Sequence, residues 1–327
     1  MIVKYMRQKV DISHRTVIFT ALFILAFWVT YLIRDLLIIL FVAVIFVSAL
    51  SPLVKFFVKL RLPKVLSITI TYIIIITTVA GLVISIIPPL VEQSTKLVVT
   101  APGLLAQFFN ITNLDKSVFS SELTSLSKNL FSITLSVFDN FLTIIFLLVL
   151  TFYMLLEQDS LENRFSSLFK GKEERIRRLI VKIEEKLGAW LRGQLILTLV
   201  IGVLSYIGLT ILNIPYALPL AMVAGIMEVI PVIGPIVSAL PAIFLALTIS
   251  PILSVGVAVM YLLIQQLENH LIVPQVMKRA VGLNPLVVIL AIAIGGRLLG
   301  IAGALLAVPM AVVFQIIAAE IIEGKKI

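Results

Sequence analysis

Two ionisable side chains lie inside long apolar stretches of this sequence. Glu228 belongs to the segment EVIPVIGP (228–235), and Arg297 belongs to GGRLLG (295–300). A charge at the centre of a bilayer costs roughly 2.5–3.5 kcal/mol on insertion scales unless it is paired or hydrated. Two roles are therefore open. Glu228 and Arg297 face each other or a bound molecule, with Glu228 carrying a proton, or they form a structural ion pair.

A polar cluster closes another apolar stretch. It consists of Gln265, Gln266, Glu268, Asn269 and His270. The two glutamines fall within the apolar register, where an amide can hydrogen-bond a polar molecule, and the remainder is typical of a membrane–water interface. Small or polar residues at helical spacing, such as Thr198, Gly202 and Ser205, are more typical of helix packing faces.

The residue patterns that enzymes use are missing from the sequence. It has no cysteine, only two histidines far apart, and no HExxH, Gly-x-Ser-x-Gly, Walker or Gly-x-Gly-x-x-Gly motif. We therefore predict no enzyme activity, metal site, cofactor or bound nucleotide. The 26 Lys and Arg residues against 17 Asp and Glu form no basic patch with interleaved aromatic residues, so nucleic acid is not an expected partner.

The composition places these residues in a membrane protein. Hydrophobic residues make up 61% and charged residues 13% of the chain, and the mean hydropathy is +1.17. This leaves too little polar surface to coat a water-soluble globule. A helix of about 20 apolar residues crosses the roughly 30 Å hydrocarbon core. Six stretches meet that length: 17–33, 36–54, 65–87, 138–156, 194–212 and 252–269.

Two further apolar stretches are too long for one crossing and are interrupted. Residues 216–249 would form a single helix roughly 50 Å long, but two prolines and a glycine within 228–235 remove backbone donors that lipid cannot replace. Glycines interrupt residues 286–322 in the same way. We predict an all-α integral membrane protein with six full transmembrane helices plus two re-entrant helical hairpins. An eight-span topology is the alternative.

Basic residues predict the orientation of the chain. Four lie in residues 1–16, four in 55–64 and nine in 157–193, whereas the opposite side holds Arg34, Lys96, Lys116 and Lys128. The positive-inside rule then places both termini in the cytoplasm. The predicted organisation is amino-terminal transmembrane helices in 1–87, an external amphipathic flap in 88–137, a transmembrane helix in 138–156, a cytoplasmic amphipathic helical segment in 157–193 and a transport domain in 194–327.

Three segments carry a resemblance to a known family. In order they are EVIPVIGP (228–235), QQLENHLIVPQVMKRAVGLNP (265–285) and GGRLLGIAGALLAVP (295–309). The series resembles the autoinducer-2 exporter family of bacterial and archaeal permeases, in layout over nearly the whole chain and specifically in its last third. The positions that match the family motifs are Pro231, Gly234, Pro235, Gln266, Glu268, Asn269, Pro274, Gly296, Gly300, Gly303 and Pro309.

The resemblance implies a homo-oligomeric permease of the cytoplasmic (inner) membrane of a prokaryote that exports a small polar solute by alternating access. A sodium or potassium/proton antiporter and a non-transporting membrane assembly protein are the alternatives. The expected partners are the lipid bilayer and a small polar solute or monovalent cation, with a proton or sodium as coupling ion. The candidate pathway residues are Glu228, Pro231, Gly234, Pro235, Gln265, Gln266, Glu268, Asn269, Gly296, Arg297 and Gly300.

Overall fold

A computed structural model shows how these segments fold. It describes residues 14–109, 141–231, 233–277 and 282–323. Every regular element within these ranges is a helix, which confirms the predicted all-α class. The chain forms two compact units, Met1–Ala43 and Val44–Ile327.

The first two helices are almost purely apolar. Helix α1 (His14–Leu32) has no buried residue, and its sequence is apolar on all sides, as is typical of a helix in lipid. Helix α2 begins at Arg34 and ends at Lys59 in the second unit. Within that unit, Val47 and Val54 of α2 belong to a small apolar cluster.

The next three helices depart in part from the predicted boundaries. Helix α3 (Lys64–Phe109) continues through Pro88 and Pro89, so the first part of the predicted flap extends this helix. The rest of the flap, from residue 110, lies outside the described residues. Helix α4 (Phe141–Leu156) is followed by α5 (Gln158–Ser167), and the chain bends by 74° between them.

Helix α6 (Glu173–Ile211) is 39 residues long and joins two predicted segments. Its first half belongs to the predicted amphipathic segment 157–193, and its second half is the predicted span 194–212. One face of the second half is buried at helical spacing, through Gln194, Leu197, Ile201, Ser205 and Leu209. Gly225 of the following helix packs closely against Thr198 and Gly202 of this helix.

The first hairpin consists of α7 (Ala217–Met227) and α8 (Ile233–Ile249). At its turn, a Cβ on Gly234 would overlap the main-chain carbonyl group of Met227, so only glycine allows the two arms to approach so closely. The arms and helix α9 (Pro251–Leu267) share one apolar core. Its members include Leu220, Ala224, Ala242, Leu245 and Val257. The predicted helical hairpin in 216–249 is therefore present.

Helix α9 does not end at Leu267. It continues through a π-helical turn, Glu268–Ile272, into the short helix α10 (Val273–Met277). A π-helical turn inserts one residue into the helical repeat and is frequent at functional sites.

The second hairpin is formed by α11 (Pro285–Glu323), which is interrupted at Gly300 with φ 62° and ψ −143°. A Cβ on Gly295 would overlap the main-chain carbonyl group of Gly303. These glycines would lie about 12 Å apart along a continuous helix. The chain therefore folds back at Gly300, and the continuous helix that the eight-span alternative requires is not formed.

Six helices of the described ranges are long and apolar enough to span a membrane, or seven if α4 and α5 form one bent span. Five of them match predicted spans, and the sixth is α11, which folds back. The remaining predicted span, 138–156, corresponds to α4 of the bent pair.

Candidate functional site

The turn of the first hairpin buries an acidic side chain. Glu228 follows the last residue of α7 and is only 2% exposed. Gln194 of α6, also buried, donates a hydrogen bond from Nε2 to the main-chain carbonyl group of Glu228 over 3.0 Å. The turn needs this donor because carbonyl groups at the end of a helix have no N–H partner within the helix. Helix α6 thus anchors the tip of the hairpin.

A second acidic side chain meets the first at this tip. Glu268 is 6% exposed and begins the π-helical turn. Val257, Tyr261 and Ile264 precede it on the same buried face of α9, at intervals of three or four residues. The carboxyl groups of Glu228 and Glu268 lie within hydrogen-bonding range of each other.

The side-chain amide of Gln265 lies beside the carboxyl group of Glu268. Its Nε2 approaches Glu268 Oε2 at 3.4 Å, a long hydrogen bond. We call Gln194, Glu228, Gln265 and Glu268 the acidic tip site. No donor among the described residues reaches Glu228 Oε2.

The proposed pairing of Glu228 with Arg297 is not formed. Arg297 is exposed on the second hairpin, one turn before Gly300, and no ion pair of the described residues joins it to Glu228. Glu268 lies next to Glu228 instead of Arg297, because the buried face of α9 leads to the tip of the first hairpin. The positions of the two helix breaks along the sequence could not show which side chain meets Glu228.

The other candidate residues have separate positions. Pro231 and Pro235 are half-buried at the turn of the first hairpin, where Ser238 Oγ donates to the carbonyl group of Pro235 over 3.1 Å. Gln266 and Asn269 are exposed. Gly296 and Gly300 belong to the second hairpin, so neither contributes to the acidic tip site.

Thr198 and Ser205, whose spacing is typical of a helix packing face, belong with Tyr261 to a row of buried hydroxyl groups. Thr198 Oγ1, Ser205 Oγ and Tyr261 Oη have no hydrogen-bond partner among the described residues. The Tyr261 hydroxyl lies beside Ser205, without a hydrogen bond of regular geometry. The spacing of Gln194, Thr198 and Ser205 on one face of α6 was the available signal. Unpartnered buried hydroxyl groups are costly and therefore indicate a place for water or a ligand.

A cavity of about 280 Å³ lies elsewhere, between α2, α3, α4 and α5. Its lining includes Lys55, Lys59, Lys64 and Asp159, and none of the candidate pathway residues. Lys64 Nζ lies 2.9 Å from Asp159 Oδ2, and this hydrogen bond lowers the pKa of the Asp159 carboxyl. Within the described ranges, no group of three or more His, Asp or Glu residues could hold a metal ion.

Comparison of the sequence with known proteins identifies its family. The family model described as AI-2E family transporter matches residues 17–323. The chain belongs to the AI-2E transporter family. YrrI of Bacillus subtilis (strain 168), which is named for transport, is 28% identical over 309 residues, covering 89% of this chain and 87% of that protein. The AI-2 transport protein TqsA of Escherichia coli (strain K12) is 27% identical over 301 residues, with coverage of 88% and 86%.

Family membership and the apolar helices together identify a multi-pass membrane transporter. The resemblance inferred from the three carboxyl-terminal segments is confirmed. The family match covers both hairpins and the acidic tip site, so the buried carboxyl groups lie within the transporter architecture.

Proposed function

We propose that this AI-2E transporter is a secondary permease that exports a small polar solute by alternating access. The first hairpin moves relative to α6 and α9, and its tip exposes the solute site to one side of the membrane at a time. The protein resides in the cytoplasmic membrane of a prokaryote as a homo-oligomer, with both termini in the cytoplasm. The predicted excess of basic residues on one side supports that orientation.

The observation that carries this proposal is the acidic tip site itself. A helix break in a membrane is tolerated where the freed polar groups are buried in protein or line a wet cavity. Here the break holds a carboxyl group that is 2% exposed, with unpartnered hydroxyl groups on the neighbouring helices. A purely structural break has no need for a charged residue at this depth.

The polar groups around the break suit a neutral, hydroxylated solute. Thr198, Ser205 and Tyr261 offer hydroxyl groups, which both donate and accept hydrogen bonds. Gln265 adds an amide. The relative TqsA is named for transport of AI-2, and AI-2 is therefore the first solute to test.

The test is counterflow of labelled AI-2 into proteoliposomes that contain purified protein and unlabelled AI-2. We expect accumulation of label that stops when unlabelled AI-2 is left out. Gly256→Ala is a control variant that should transport as the wild type does, because a Cβ at that position meets no atom within 4 Å. If label fails to accumulate with AI-2 and with a panel of small polyols, organic export is wrong.

A second candidate function is monovalent cation/proton antiport, which the buried carboxyl pair favours. It predicts that adding sodium or potassium dissipates a proton gradient imposed across the same proteoliposomes. Glu228→Gln should abolish this response. A protein that shows neither counterflow nor antiport, and that tolerates substitution of Glu228 and Arg297, would instead be a membrane assembly protein.

A further inference from the structure

The carboxyl groups of Glu228 and Glu268 are in contact although both side chains are buried. An ionised carboxylate only accepts hydrogen bonds, so two ionised groups cannot bond to each other. A proton on one of them supplies the missing donor. Glu228 Oε2 has no other donor among the described residues. Two buried carboxyl groups this close together can share one proton, as occurs where like charges meet.

Among the described residues, no basic group takes the place of that proton. No lysine, arginine or histidine of the described residues forms an ion pair with Glu228 or Glu268. Arg192 of α6 donates to the carbonyl groups of Ser48 and Ala49. His270 Nδ1 contacts the carbonyl group of Gln266, and Arg297 of α11 is exposed. Two buried negative charges without compensation are strongly unfavourable.

On the neighbouring helices, the ionisable groups whose contacts are described have other partners. Helix α8 has no ionisable residue. On α3, Lys64 pairs with Asp159 and Tyr72 bonds to Thr151. Tyr261 lies two turns before Glu268 on α9, beside Ser205. Lys278 and Arg279 follow α10, outside the described residues.

Buried hydroxyl groups offer a route to the pair. Thr198 is one helical turn beyond Gln194 on α6, and Gln194 bonds to the main chain of Glu228. Further along, Ser205 of α6 and Tyr261 of α9 lie beside each other. Thr198, Ser205 and Tyr261 each hold a buried hydroxyl oxygen without a partner. A file of water or solute hydroxyl groups along this row would satisfy them.

We propose that Glu228 and Glu268 form a binding site for one proton, which couples movement of the first hairpin to proton transfer. The bound proton holds the hairpin tip on α9. Loss of the proton leaves two carboxylates that repel each other, so the tip separates and both groups become hydrated. The coupling role rests on the proposed secondary transport, whereas the binding of the proton does not.

The test is infrared spectroscopy of the full chain in lipid nanodiscs at neutral pH, which detects a protonated carboxyl group by its C=O stretching band. We expect such a band in the wild type, with a shift on exchange into deuterated water. Glu228→Gln and Glu268→Gln should each remove it, because the amide of glutamine donates the hydrogen bond in place of the proton. Glu320→Gln is the matched control and should retain the band, since Glu320 is paired with Arg175.

Absence of the band in folded wild-type protein would overturn the proposal without recourse to variants. Retention of an unchanged band in both glutamine variants would do the same. Loss of the wild-type band on adding sodium at constant pH would show that a cation, and not a proton, is the occupant. Transport without the band would contradict this inference alone, whereas the band without transport would contradict only the proposed function.

Discussion

The first hairpin, α7 and α8, and the second hairpin, α11, both turn where glycine allows one arm to reach the backbone of the other. Gly234 does so against Met227, and Gly295 against Gly303. Each turn also brings one ionisable residue to its tip. Glu228 is buried against Glu268 and anchored by Gln194, whereas Arg297 is exposed.

This difference shows that two hairpins with the same kind of glycine turn need not have the same role. The first tip is enclosed by α6 and α9, so the state of its charge depends on contacts within the chain. The second hairpin is tied to α6 at its other end, where Arg175 of α6 pairs with Glu320. We therefore expect substitution of Glu228 at the first tip to change coupling, and substitution of Arg297 at the second tip to leave the fold intact.

The largest effect should follow Gly234→Ala. The added Cβ overlaps the Met227 carbonyl group, which is backbone and cannot rotate away. Overpacking of this kind costs about 1–3 kcal/mol or more. We expect little folded protein, measured by size-exclusion chromatography in detergent and by the unfolding temperature. Gly256→Ala should behave as the wild type, and an equal loss in both variants would refute the argument from close approach.

Glu228→Gln should come next and should affect activity more than folding. Glutamine keeps the shape of the side chain but cannot bind or release the proton, so we expect at least about a tenfold loss of coupled transport, which corresponds to 1.4 kcal/mol. Arg297→Gln is the comparison at the second tip. It should leave the unfolding temperature unchanged, because Arg297 is exposed. Initial rates in proteoliposomes, with folding checked in parallel, measure both. Equal transport by Glu228→Gln and the wild type would remove the distinction between the tips.

Gln194→Ala should destabilise the first hairpin by about 1–3 kcal/mol, because it leaves a buried carbonyl acceptor without its donor. Gln315→Ala is the matched change on the second hairpin. Gln315 donates to the Gly282 carbonyl group at 3.3 Å in an exposed position, where water replaces the bond. Its effect should stay within about 0.5 kcal/mol. Thermal unfolding of the two variants in one detergent gives the contrast, and similar losses would contradict it.

The smallest effect should follow Gly296→Ala on the second hairpin. A Cβ there would lie 3.8 Å from the Ala304 side chain, an ordinary packing distance. Alanine also favours the helix by up to about 1 kcal/mol over glycine. The unfolding temperature should stay equal or rise slightly. Gly295→Ala, one residue earlier, should lower it sharply, and the same response at both positions would mean that the arms do not meet as described.

The apolar pattern of the sequence was sufficient to predict the helical class, most of the spans and both hairpin turns. This is because the bilayer imposes a length on each helix, and prolines or glycines mark where a longer helix breaks. Helix ends were less predictable. Helix α3 runs past Pro88 and Pro89, and α6 merges two predicted segments, because a helix can extend beyond the membrane without any change in local pattern.

The partner of Glu228 was decided only by the tertiary structure. Local sequence identified Glu228 as a charge in an apolar segment, and opposite charge suggested Arg297 as its partner. Which residue meets Glu228 depends on how α9 rotates its buried face toward α6 and α7, and that rotation is a property of packing over the whole unit. Packing placed Glu268 there, and the resulting carboxyl pair is the feature on which the proposed proton site rests.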